Sequence, residues 1–249
     1  MRTSFIRAAA CIFMLATIHV SDAAAQMFSY DRERPRPVQS ISFGYTVVAF
    51  HFNGSGIPNP SFEYDGPIYG AVYTRPNMVA TLGYGADDSD RDLRLLDASI
   101  TTWGEIRLSD SRRGRLYVPI GLHTNYRRVA PRGEEDSLVD SFNITVLGLG
   151  SGIGYHLYIG DALVVSFRAM PIIGLALRAF GDSAGSSRLL DASVHVHRPK
   201  VIGRFGFSAG YGFRTQVWNV GASSLVPQGS DDVFDYAGNH HVLMIGVNW

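Results

Sequence analysis

Two pairs of histidines carry the residue types that hydrolytic chemistry needs. His195 and His197 stand two apart, with Ser193 two before them. A serine beside an imidazole is a nucleophile beside its base. His240 and His241 follow Asp231, Asp232 and Asp235, and a carboxylate that orients a histidine could activate water. Neither set supplies a recognisable nucleophile, base and orienter together. Asp88-Ser89-Asp90-Arg91-Asp92 alternates carboxylates like the start of a calcium loop. It lacks the sixth-position glycine, and Ser99 stands where the bidentate glutamate belongs, so it reads as a solvated acidic loop. Asn53-Gly54-Ser55 and Asn143-Ile144-Thr145 match the glycosylation sequon by coincidence of composition. The residues imply no cofactor and no metal.

The elements that would have to position these side chains are strands. From Leu96 to Leu108 one parity reads Leu96, Ala98, Ile100, Thr102, Gly104, Ile106, Leu108, and the other Asp97, Ser99, Thr101, Trp103, Glu105, Arg107. Side chains alternate across a strand, so one face is apolar and one polar. The same alternation recurs near 38–53, 67–74, 77–85, 93–108, 115–127, 140–158, 162–180, 188–197, 201–216 and 239–249, which makes ten strands. Pro119 and Pro171 fall inside strands and predict bulges, because proline deletes a ladder hydrogen bond. The apolar parity of 162–175 is open, since Val164, Val165, Ile172 and Ile173 occupy both faces.

Connections alternate in length. Arg75-Pro76-Asn77, 109–114, 159–161 and Arg198-Pro199-Lys200 are short; 53–66, 85–92, 128–139, 181–187 and 217–238 are long. The short ones carry arginine and the chain's one lysine; the long ones carry most of the acidic residues.

The N-terminus reads as a signal peptide over residues 1–25. Arg2 and Arg7 precede an apolar run from Ala8 to Val20, and Ala23-Ala24-Ala25 supplies the small residues for cleavage before Gln26. Residues 26–37 form a short lead-in punctuated by Pro35 and Pro37, and 38–249 form one domain. Cleavage removes Cys11, the single cysteine, so disulfide and thiol chemistry are excluded from the mature chain. With a net charge of zero, nothing points to nucleic acid as a partner. No apolar stretch after residue 26 is long enough to span a bilayer as a helix, so a membrane role would require a barrel or surface binding.

The last strand holds the sharpest motif. Leu243, Ile245, Val247 and Trp249 share one face, and Trp249 is the last residue. This resembles the C-terminal signature of small bacterial outer-membrane β-barrel proteins, of the OmpA/OmpX-like or porin-like class. The resemblance implies an all-β, antiparallel up-and-down transmembrane barrel of about ten strands, with eight or twelve as the neighbouring even counts. It also implies an outer-membrane location, with the barrel-assembly machinery and outer-membrane lipids, including lipopolysaccharide, as partners. Leu243, Ile245, Val247 and Trp249 would be the assembly signal.

With the apolar parity outward, the lumen would receive Asp97, Glu105, Arg107, His123, Arg168, Arg178, Asp191, His195, His197, Arg204 and Arg214. Mixed charges in a narrow barrel pair with one another. That points to a non-catalytic barrel with a structural, adhesive or surface-recognition role. A narrow channel for ions or small solutes and a lipid- or peptide-modifying enzyme at the outer rim are the alternatives.

Overall fold

A computed structural model describes residues 39–53, 62–87, 92–111, 113–132, 141–160, 162–178, 183–221 and 233–249. The expected signal peptide, the lead-in and most acidic loop residues lie outside these. The strands are β1 Ser40–Phe52, β2 Tyr64–Arg75, β3 Met78–Ala86, β4 Leu93–Asp110, β5 Gly114–Pro131, β6 Phe142–Ser151, β7 Ile153–Ile159, β8 Leu163–Arg178, β9 Ser183–Ile202, β10 Phe205–Gly221 and β11 Val233–Asn248. Each pairs antiparallel with its neighbours, and β1 closes on β11 from Ser40↔Asn248 to Phe52↔Tyr236. Closure leaves no sheet edge.

β6 and β7 lie end to end between β5 and β8, so the eleven segments make a ring of ten strands. The interruption has a chemical cause. Continuing the register on either side puts Pro119 opposite Gly152 and Pro171 opposite Ser151. Gly152 N–H donates to the Pro119 carbonyl at 3.2 Å, but Pro119 has no N–H to return. Two prolines therefore flank one break. The expected bulges are not at the prolines: the register shifts fall between Arg107 and Ser109, between Ala176 and Leu177 and between Phe205 and Phe207.

The short turns bend through left-handed residues, Asn77 at φ 65°, Gly160 at 58° and Gly203 at 59°; the expected turn at Arg198-Pro199-Lys200 lies instead inside β9, where Lys200 takes φ 55°. β9 begins at Ser183 and β11 at Val233, several residues earlier than alternation indicates, because small and polar residues mask the pattern there.

Burial alternates along most of the strands, although Phe142–Val146 of β6 are buried throughout, and it resolves the parity of β8. Val164, Arg168, Met170, Ile172 and Ala176 are buried, whereas Ile173 and Leu175 are exposed. Phe43, Leu122, Leu149, Ile173 and Ile245 are each at least 59 % exposed, while Asp97, Asn125, Arg127 and Arg168 are at most 4 % exposed. A protein folded for water does the reverse; an apolar outside around a polar inside suits strands that face lipid. Among the described residues no helix is long and apolar enough to cross a membrane.

Candidate functional site

The lumen is layered. Its polar hub is Asp97 on β4, which lies directly opposite Arg127 on β5. Arg127 donates to the same carboxylate oxygen from Nη2 at 2.6 Å and from Nε at 3.0 Å. Asn125 donates to it at 3.2 Å, and Arg214 lies 3.5 Å from the other oxygen. Arg214 is opposite His240 in the β10–β11 ladder, and His240 reaches Arg127 through its ring nitrogen. Arg214 also donates to Ser99 at 2.8 Å, and Ser99 meets Thr81 at 2.7 Å. Four strands are thus tied across the barrel interior by one carboxylate and its cations.

Toward the long-loop end the lumen is apolar. Phe50, Phe142, Trp218 and Tyr236 are fully buried and pack ring to ring, with centroids 4.8 Å apart for Phe50–Phe142, 5.4 Å for Phe50–Trp218 and 4.9 Å for Phe142–Tyr236. These come from β1, β6, β10 and β11, so the cluster crosses the bore. Arg127 joins the layers: its guanidinium lies 4.7 Å from the Trp218 ring and 5.3 Å from that of Phe50, a cation–π arrangement. Gly238 makes this possible, since a Cβ there would stand 2.9 Å from Arg127 Nη1 and 3.2 Å from Trp218.

Toward the short-turn end a second ion pair, Arg168–Asp191 at 2.7 Å, sits beside Trp103, whose ring lies 4.0 Å from the guanidinium. His123 bonds Thr101 at 2.8 Å. Lower still, His156 lies 3.5 Å from Glu105, bonds Ser166 at 2.9 Å and stacks on Tyr117 at 4.8 Å. The His195 and His197 rings are parallel, 5.9 Å apart. Among the described residues, one cavity of about 70 Å³ lies against Asp97, Asp191, Arg214 and His240, and another of about 70 Å³ between Trp103, Glu105, His156 and the Arg75-Pro76-Asn77 turn.

Asp97, Glu105, His123, Arg168, Asp191, His195, His197 and Arg214, all expected inside, are placed there. Arg107 shares the inward parity but pairs with Asp110 at 4.0 Å at the short-turn rim, and Arg178 ends β8 at the opposite rim. Arg204 is a correction. It lies in the exposed β9–β10 turn, its guanidinium 5.0 Å from the Phe205 ring, because β9 runs on to Ile202 and β10 starts only at Phe205.

Arg127 is the residue that sequence reasoning missed, although one further step of the His123, Asn125 alternation reaches it. His240 is likewise displaced from the expected outer rim to mid-strand, because β11 begins at Val233. His241 points outward to Tyr211 at 2.7 Å, and Asp235 is bonded by Asn219. His240 and His241 therefore face opposite sides of the wall and do not combine into one site. Leu243, Ile245, Val247 and Trp249 all lie on the exterior face, 44–62 % exposed.

No protein-family model matches the chain, and no curated protein matches it. Solved structures do. The outer membrane protease OmpT from Escherichia coli aligns over 90 % of this chain and 99 % of its own, with 9 % identity and a TM-score of 0.37. The attachment invasion locus protein Ail of Yersinia pestis aligns over 86 % and 99 %, with 12 % identity and a TM-score of 0.28. The translocator domain of the autotransporter NalP from Neisseria meningitidis aligns over 98 % and 97 %, with 15 % identity and a TM-score of 0.33. On its own pairing and exterior, this chain is a closed antiparallel β-barrel with a lipid-type outer face.

Proposed function

We propose that this protein is an integral outer-membrane barrel, exported by a signal peptide over residues 1–25, whose role is non-catalytic: structural, adhesive or surface-recognising through its long loops. The observation that carries this reading is the aromatic layer of Phe50, Phe142, Trp218 and Tyr236, packed across the bore above the hub of Asp97, Arg127 and Arg214. A pore for solutes needs a continuous wet path, and four interlocked rings with Arg127 against them leave none at that level. Catalysis needs a nucleophile, base and orienter in reach of a substrate; of the buried histidines, His123, His156 and His240 are bonded to Thr101, Ser166 and Arg127.

The test is electrical. The full mature chain, inserted into a planar bilayer, should raise no stepwise conductance above the bare membrane. Reproducible single-channel steps would replace this reading with a narrow channel served by the two lumen cavities.

A further inference from the structure

The half of the lumen nearest the short turns holds a cavity walled by donors that the protein does not satisfy. It measures about 70 Å³ and lies between the Arg75-Pro76-Asn77 turn and Arg168. That is room for several waters or one small molecule. Arg168, 4 % exposed, gives Nη2 to Asp191, but its Nε and Nη1 have no hydrogen-bond partner among the described residues. The same holds for Trp103 Nε1 and for His197 Nδ1, a donor in one tautomer of that buried ring. All three side chains line the cavity. Buried donors without a partner are unfavourable, so acceptor oxygens belong among them.

Strand register fixes these groups. The β8–β9 ladder sets Ser193, His195 and His197 beside Arg168, Ser166 and Val164 in turn, all on the inward face. Trp103 reaches across from β4, its ring 4.0 Å from the Arg168 guanidinium. The charge favours an anion. Glu105 is the one carboxylate among the described lining residues, and His156 engages it at 3.5 Å. Counted with the ion pairs above the cavity, Arg75, Arg127, Arg168 and Arg214 stand against Asp97, Glu105 and Asp191. With the imidazoles neutral, one positive charge is left over. Val79 and Val164 add an apolar wall that an inorganic anion does not use. The cavity above shares Arg168, Ser193 and His195 with this one, and the four-ring aromatic layer crosses the bore beyond it. Entry is therefore from the short-turn end.

We propose that this cavity binds a small aliphatic carboxylate, of the size of acetate or propionate. Arg168, Trp103 and His197 donate to its oxygens, and Val79 and Val164 lie against its alkyl group. A donor that carries charge binds a carboxylate more strongly than it binds a neutral acceptor, which makes the ligand's charge the property to test. The site stands on the lumen geometry and is independent of the loop role proposed above.

The experiment is calorimetric titration of the full mature chain, folded in detergent micelles, with sodium propionate and with propionamide, which has the same shape and no charge. Propionate should bind saturably, one per chain, and about tenfold or more tighter than propionamide. Trp103→Phe keeps a ring against Arg168 but removes the indole N–H, and should weaken propionate binding about fivefold. Arg168→Met with Asp191→Leu removes the ion pair whole, so no buried charge is orphaned, and should abolish saturable binding. His241→Phe, on the exterior face, should leave it unchanged. Equal affinity for propionate and propionamide, or saturable binding of neither, overturns the site without any variant. So does undiminished propionate binding by a folded double variant. Unchanged affinity in Trp103→Phe overturns it even where the double variant does not fold. Complete displacement of propionate by an equal concentration of chloride would mark a site for any small anion and overturn the carboxylate assignment.

Discussion

Asp97 and Arg127 face each other across the β4–β5 ladder and are joined at 2.6 Å inside the barrel, both shielded from solvent. A buried pair of this kind is costly to break from one side, because the surviving charge has no partner.

Replacing Asp97 with alanine should therefore destabilise the barrel by about 3–5 kcal/mol, since Arg127 and Arg214 then share no carboxylate. The double variant Asp97→Leu with Arg127→Met should recover much of that loss. Urea unfolding in detergent micelles, followed by tryptophan fluorescence, gives both values. Equal destabilisation by the single and double variants would show that the pair is not the source.

Truncating the aromatic layer should open the bore. Trp218→Ala combined with Phe50→Ala removes two of four interlocked rings and the face against which Arg127 lies. Small, reproducible conductance steps should appear in planar bilayers where the unaltered chain gives none. Silence from a correctly inserted double variant would place the constriction elsewhere.

Ending the chain at Asn248 should impair assembly more than synthesis. Trp249 closes the exterior stripe of Leu243, Ile245 and Val247, and its backbone N–H bonds the Gln39 carbonyl at 3.0 Å where the barrel closes. Outer-membrane fractions from cells making the shortened chain should be depleted, with total protein unchanged. Normal membrane levels would remove Trp249 from the assembly signal.

Tags report orientation. If the mature N-terminus starts in the periplasm, β1 runs outward and the β5–β6 connection is external. An epitope after Glu135 should be stained by antibody on whole cells, and one between Arg112 and Arg113 should not. A surface-visible tag at Arg112 would invert the topology.

Sequence alone determined most of the strands, their even number and, except for β8, the side each faces, because a period of two in polarity survives wherever apolar and polar residues differ sharply. Asp97, Glu105, His123, Asp191 and Arg214 could be assigned to one interior on that ground. The pattern fades where strands run through Gly185, Ser186, Ser187, Gly238 and Asn239, so alternation alone ends β9 and β11 short and sets His240 at a rim. Which charges meet was decided by the tertiary structure. Asp97 and Arg127 are 30 residues apart, Arg127 and His240 are 113 apart, and only ring closure and register bring them to one height. Periodicity also says nothing of what fills a lumen. Phe50, Phe142, Trp218 and Tyr236 lie on inward faces where polarity was expected, and their size plugs the bore only because four separate strands deliver them to the same level.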